Sequence, residues 1–514
     1  MRKPTDDELP GRSYHGEHRQ SFFMMLNLLI FIPLFATLAI ILGAPARKCA
    51  LLAGAANFFT SLVALVSYDK AKGGFQHVYS AAIAPEWDLK YLLGADGLSV
   101  MMLFLTGIVT LAAIWVTPPI EKRENLFYAC VLLIAAGAAG AFASQDLFFF
   151  YAFHELALIP TFLLIGVWGE GERHTAAWKI TIYLALGSFV LLIGLIDLYN
   201  ALPVQVRTFD MIKLQQLTAA NGIPASAQYR PYFFLLIGFG ILTSLFPFHS
   251  WAPQAYASAP TPLAMLHAGV LKKFGLYGLI RLAIPLLPAG AQNWTWLLLV
   301  LLVGNLIYVG LATVGQRKLD LMLGYSSVMH MGYIFLGIAA FNSVGLSGAA
   351  LLMFAHGLSI AALFAIAGQL RQRGESLSFD TFGGVGKTMP FLGAAFGCAA
   401  FASLGLPGFA NFASELMVFF GAYKPGLDPG LIGSFKTATV FALWGVVISA
   451  IYMLRAYRAI FMGAPNKGAT AWIDPTLNLR LPIILLIAML LLGGFFPGIF
   501  LSYVKPSVEA LLAH

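Results

Sequence analysis

Hydrophobic and polar positions divide this chain into a series of apolar stretches separated by short polar turns. Stretches of about 17 to 25 apolar residues are long enough to cross a bilayer as helices, and about fourteen are predicted. They lie at roughly 22–44, 49–67, 97–116, 126–144, 147–168, 176–199, 231–247, 262–285, 294–314, 320–341, 346–369, 390–424, 437–459 and 481–503. The pattern predicts an all-α, polytopic membrane protein. Two stretches are interrupted. The seventh runs into FPFHSWAPQAYASAPTPLAMLHAGVLKK (246–273), where Pro247, Pro253, Pro260 and Pro262 remove backbone donors and clash with the preceding turn. The twelfth is cut at GLPGFANFASE (405–415). Unpaired backbone at membrane depth is tolerated only where protein or water covers it, so such breaks mark transport pathways.

The breaks fall five spans apart, which predicts an internal repeat. The expected units are a polar tail (1–21), helices 1–3 (22–125), a first five-helix repeat (126–285), a second (286–460), and a loop with the last helix (461–514). An odd number of helices per unit makes the second enter the membrane from the opposite side, which favours inversion.

Composition sharpens the class. Of 514 residues, 59% are hydrophobic and 11% charged, against roughly 45–50% apolar in an ordinary soluble domain. The net charge of +8 resides in short loops, as membrane topology requires, so no nucleic-acid partner is implied. Arg47 and Lys48, Lys122 and Arg123, Arg173, Arg317 and Lys318, Arg371 and Arg373, and Arg455 and Arg458 follow odd-numbered spans. By the positive-inside rule that side is cytoplasmic and both termini face out, against the basic tail (Arg2, Lys3, Arg12, Arg19) and the longer loops 68–95 and 200–230. The apolar run from Phe22 to Ala44 is too long for a signal-peptide core and reads as a first span. Cys49, Cys130 and Cys398 are scattered, without disulfide or metal spacing.

Ionisable residues inside spans are candidates for function, since one at mid-bilayer costs on the order of 2.5–3.5 kcal/mol on insertion scales. Glu155 lies in the fifth span beside His154, either as a proton site or as a carboxyl satisfied by a serine or backbone partner. Lys272 and Lys273 sit roughly 16 Å along a helix from Pro262, near mid-membrane depth. They project about 100° apart, so one faces a given partner and the other snorkels or meets a neighbouring subunit. Glu415, after the second break, is a proton site or a helix cap. His249, His267, His330 and His356 form a polar file suited to proton relay, or are hydrogen-bonded core histidines. No phosphate-cradling loop, metal constellation or nucleophile triad stands out.

These motifs carry a family likeness. DLFFFYAFHELALIPTFLLIGVWG (146–169), PFHSWAPQAYASAPTPLAMLHAGVLKKFGLYGLIR (247–281), LDLMLGYSSVMHMGYIFLGI (319–338), MFAHGLSIAALFAIAGQL (353–370) and GLPGFANFASELMVFFG (405–421) are similar to the antiporter-like proton-translocating subunits of respiratory NADH:quinone oxidoreductase (complex I), especially those of the subunit M, or chain 4, type. The resemblance implies fourteen helices, two inverted five-helix repeats and proton movement along a central line of charges, driven by quinone reduction elsewhere. It implies that Glu155 pairs with a seventh-helix lysine, that Lys273 links two half-channels, that Glu415 marks the M type, and that His330 and His356 belong to the polar axis. NADH, FMN, iron-sulfur clusters and quinone would belong to other subunits, and the chain would carry no cofactor. Its partners would be L-like and N-like membrane-arm neighbours in a bacterial inner membrane.

The chain departs from the family in the seventh span. GFGILTSLFPFHSW (238–251) has Leu242, Thr243 and Ser244 where the family has its lysine, and Tyr256 replaces a histidine. Either Lys272 or His249 then serves Glu155, or half of the path is lost. Two rival readings follow: a subunit of a multisubunit cation/proton antiporter or membrane-bound hydrogenase, and a non-pumping structural copy of subunit M.

Overall fold

The structure, a computed structural model, describes residues 16–220, 223–374, 376–425, 432–465 and 472–512, so most of the polar tail lies outside the described residues. The helices are α1 (Gly16–Ile41), α2 (Ala46–Ser67), α3 (Gly97–Val116), α4 (Glu124–Ala143), α5 (Leu147–Trp168), α6 (Arg173–Asn200), α7 (Ala225–Leu242, resuming over Trp251–Ser258), α8 (Thr261–Leu286), α9 (Pro288–Val314), α10 (Leu319–Ala339), α11 (Ser343–Arg371), α12 (Pro390–Ser403, resuming over Ala410–Tyr423), α13 (Ile432–Phe461), α14 (Leu477–Phe495) and α15 (Pro497–Leu512). Eleven of these are long and apolar enough to cross a membrane. With α1 and the broken α7 and α12 they supply the fourteen expected spans, and the protein is a polytopic membrane protein.

Burial separates the helices into two layers. The membrane-crossing windows of α3, α8 and α11 are wholly enclosed by other helices, whereas α2, α5, α6 and α14 are less than half buried. The outer helices turn large apolar side chains such as Phe59, Ile159, Trp178 and Phe189 outward, as lipid or a neighbouring subunit requires. Glycines bring α8 and α11 together at the centre: a Cβ on Gly357 would meet the Gly269 carbonyl at 2.7 Å. Small residues permit such close approach between membrane helices. Side chains four residues further along α8 thereby reach those of α11.

Three features differ from the sequence expectation. The loop 68–95 contains an antiparallel hairpin, β1 (Gln76–Ala84) and β2 (Leu89–Ala95), so the chain is not purely helical. The loop 200–230 contains a short helix, Met211–Ala219. The span expected at 481–503 is two helices, because Pro497 cannot continue α14; α15 then packs on α3, with Gly97 N donating to Ser507 Oγ at 2.9 Å.

The hairpin and the 200–230 segment are joined at Asp88. Its carboxylate meets Lys90 Nζ at 2.8 Å, accepts from Lys213 Nζ at 2.8 Å, and accepts from Thr208 Oγ1 at 2.7 Å. Burial alone would raise the Asp88 pKa, but Lys213, Lys90 and Thr208 outweigh it and hold the carboxyl well below the usual carboxylate range. A depressed folded-state value contributes stability that is complete above the ordinary aspartate pKa and is lost as pH falls through the folded value. Hydrogen-exchange protection over 76–95, measured against the intrinsic rate at each pH, is therefore expected to be high and constant through neutral pH and to fall only in acid. Asp88→Ala should show fast exchange at every pH, and unchanged exchange in that variant would dismiss the cluster as a tether.

Candidate functional site

Helix α8 begins where Pro260 and Pro262 set its first turn, then departs from regular α geometry over His267–Leu271, a π-helical turn in which Lys272 N bonds His267 O at 3.0 Å. Such a turn adds a residue and re-aims those after it, and π-bulges are frequent at functional sites. Lys272 and Lys273 are consequently both interior, with 1% and 0% exposure. This corrects the expectation that one of them snorkels or meets a neighbour. Regular helical spacing gave no sign of the extra residue.

Lys273 Nζ donates to Ala268 O at 2.5 Å and lies 2.9 Å from His356 Nδ1 on α11. An ammonium can only donate, so this contact is a hydrogen bond with the imidazole nitrogen unprotonated, or with a neutral amine accepting from it. One proton serves the pair. The His356 and His330 rings are 5.4 Å apart. His330 Nδ1 lies 2.7 Å from Ser326 O, and Nε2 lies 2.9 Å from Ser403 O and 3.4 Å from Ser403 Oγ. Both carbonyls accept only, so an imidazolium satisfies both. A neutral ring protonated at Nδ1 can keep the Ser326 bond and accept at Nε2 from the Ser403 hydroxyl. The site accommodates both protonation states by turning one hydroxyl.

Ser403 ends the first half of α12, and Gly405 and Gly408 turn the chain with φ +67° and +99°. Glu415, on the resumed half, is buried and folds back over Gly405; a Cβ there would collide with its carboxylate. Glu415 Oε1, both amide atoms of Asn411 and Tyr333 Oη are buried without a hydrogen-bond partner. Polar atoms in that condition are ordinarily satisfied by water.

Among the described residues Lys272 Nζ has no hydrogen-bond partner, and it sits 5.6 Å over the Tyr256 ring, whose hydroxyl lies 3.2 Å from His267 Nδ1. Glu155 is at the rim, 33% exposed, accepting from Ser188 Oγ, with His154 Nδ1 3.5 Å away. Among the described residues neither Lys272 nor His249 forms an ion pair with it. His249 stacks instead on Phe246 and meets Tyr308 edge-on beside the α7 break. That break is held by Asn305 of α9, which accepts from Phe246 N at 2.6 Å and donates to Ser244 O at 3.1 Å and Val328 O at 2.9 Å. The structure thus joins Lys273, His356 and His330 in one file that reaches the second break, with Glu415 just beyond it, and leaves Glu155 and His249 outside that file.

A buried ion pair escaped the sequence reading. Arg281 Nη2 meets Asp96 Oδ1 at 2.5 Å, and Arg281 Nε donates to Tyr277 Oη at 3.4 Å. Asp96 also caps α3 through Ser99 N at 2.9 Å. The signal was present: an arginine within an apolar span, and D-x-x-S opening another.

Two broken helices and a buried line of lysine and histidines give this multi-helix membrane protein the architecture of the ion-translocating class. The chain belongs to the NADH:quinone oxidoreductase/Mrp antiporter transmembrane family, whose profile matches residues 144–441. It is 35% identical over 512 residues to the NAD(P)H-quinone oxidoreductase chain 4 of Acaryochloris marina, covering 95% of this chain and 94% of that one. It is 32% identical over 500 residues to the NADH-quinone oxidoreductase subunit M of Rickettsia conorii, covering 95% and 98%. A chain of the respiratory complex I of Thermus thermophilus superposes with a TM-score of 0.86 at 26% identity, covering 96% of this chain and 99% of that chain. A chain of the Mrp complex of Dietzia sp. shares the fold at 21% identity, with a TM-score of 0.83 and coverage of 96% and 98%.

Removing one partner of a buried ion pair strands the other charge, at a cost of about 3–5 kcal/mol. Arg281→Met should therefore lower the thermal stability of the assembled complex severely. Adding Asp96→Asn, which keeps the α3 cap and removes the charge, should recover most of the loss. A double variant as unstable as the single would show that packing of Arg281, not its charge, is what matters.

Proposed function

We propose that this chain is a membrane-arm subunit of an NADH:quinone oxidoreductase, of the M or chain 4 kind, that carries protons across a bacterial cell membrane. Whole-length similarity to relatives so named supports this assignment, and the antiporter and sulfane sulfur reductase matches, at 21% and 20% identity, bear on the fold alone. The redox reaction and its NADH, FMN, iron-sulfur clusters and quinone reside in other subunits, and L-like and N-like subunits flank this one. Residues 126–285 and 286–460 act as the two repeats: each is broken once, at a turn containing a positive φ, at Ser244 and at Gly405.

The observation that carries the reading is the contact sequence Lys273, His356, His330, Ser403, which leads from the centre of α8 to the break in α12. A charge change delivered along the membrane arm alters the proton affinity of Lys273. The proton moves to His356 and His330, and a turn of the Ser403 hydroxyl lets His330 release it toward Glu415 and the partnerless polar atoms beyond. Paired groups of this kind titrate together, so shifting one shifts the next. A second reading, a non-pumping copy, is favoured by Leu242, Thr243 and Ser244 standing where the family has its lysine.

NADH-driven proton uptake in vesicles bearing the assembled complex decides between them. Lys273→Met is expected to lower protons taken up per NADH with assembly intact. Native uptake and native electron transfer in that variant would make the chain a scaffold.

A further inference from the structure

The first half of the protein has a gap in its line of polar contacts. Glu155 forms one cluster with Ser188 at the outer face, and His267, Tyr256 and Lys272 form another in the interior, with Lys273 the next residue along α8. Among the described residues no direct hydrogen bond or ion pair joins Glu155 to the interior cluster. A small cavity beside Glu155's neighbour His154, with about 10 Å³ open to the centre of a water molecule, is lined by His154, Thr161, Leu242, His267 and Leu271. About 10–15 Å³ by that measure holds one water, provided two to four polar groups surround it.

The lining meets that condition. His154 and His267 are 7% and 4% exposed. His154 Nδ1 faces Glu155 Oε1 at 3.5 Å, so this histidine touches both the carboxylate and the cavity. The Thr161 hydroxyl donates to Ala157 O and keeps lone pairs for a further donor. The His154 ring is fixed by stacking on Phe274, 4.1 Å between centroids, the residue following Lys273. His267 Nδ1 already contacts Tyr256 Oη, so this histidine touches both the cavity and the aromatic ring beneath Lys272.

We infer that His154 and His267 form a relay bridged by a single water, through which protons pass between Glu155 and the buried lysines. A proton on His154 is taken by the water, which gives one of its own to His267; the reverse hop restores the start, and no bond other than O–H and N–H changes. The side chain at 242 is apolar, so the two imidazoles do the work that a cation on α7 would otherwise do. This inference rests on the proposed function.

The test is NADH-driven proton uptake by vesicles carrying the assembled complex. Variants are His154→Gln, His267→Gln, and Ala157→Val, which narrows the cavity without altering a titratable group. Each is expected to reduce uptake per NADH to the level of Lys273→Met, and His154→Gln combined with Lys273→Met should fall no lower than Lys273→Met alone, as serial members of one path require. Retained uptake in all three, beside a low Lys273→Met, overturns the relay and leaves the proposed function standing. Native uptake in Lys273→Met as well overturns both.

Discussion

The placement of two lysines in the fully enclosed helix α8 constrains everything around it. A charge at the bilayer centre costs on the order of 2.5–3.5 kcal/mol even where snorkelling is available, and Lys272 and Lys273 have no route to a surface. Protein must therefore surround them on every side. The wholly buried windows of α3 and α11 meet that need, as does the Gly269 and Gly357 contact that brings His356 within 2.9 Å of Lys273. The π-helical turn completes the arrangement. It gives up regular hydrogen bonding over one turn and points two consecutive cationic residues inward, toward a histidine and toward an aromatic face.

The breaks in α7 and α12 follow from the same constraint. A proton on a buried lysine is useful only if water reaches a group near it from outside, and continuous helices would seal the interior. Each break exposes backbone that must be paired. At α7 Asn305 supplies two hydrogen bonds to the break and a third to Val328 O of α10; at α12 two glycines turn the chain and Ser403 presents a carbonyl and a hydroxyl to His330. The α7 break is thus held by a side chain that leaves little freedom. The α12 break is bordered by a hydroxyl rotor and by polar atoms with no protein partner. That difference suits the second break to proton release.

Much of this was legible in the chain. Spans were readable because a nearly uncharged run of bilayer length is hard to bury in a soluble domain, and breaks because proline and glycine act locally. Glu155, Lys272, Lys273, Glu415 and the histidines stood out as polar residues in apolar surroundings. What was not legible depends on packing. The π-helical turn has no residue signature, so regular spacing sent one of the two lysines outward. The hairpin at 76–95 is tied through Asp88 to Thr208 and Lys213, partners distant in sequence. Asp96 and Arg281 are far apart in sequence, and although each stands out beside or within a span, neither names the other as its partner. A pattern along one helix cannot report a partner on another.

The two halves of the polar axis are built differently. From Lys273 onward the second half proceeds through close contacts, a hydrogen bond to His356 and then the His330 ring 5.4 Å from it, so a change of charge at one member is felt by the next at short range, where low dielectric makes it large. In the first half Glu155 is a third exposed and its neighbours are a serine and a histidine. The usual strong pair of opposite charges is absent there, so the electrostatic grip of Glu155 on the lysines is weaker than a carboxylate held against an ammonium would have. The consequence is directional. A signal arriving at the Glu155 face must act chiefly by moving a proton inward, whereas a signal arriving at the Glu415 face can act on Lys273 through the chain of contacts itself.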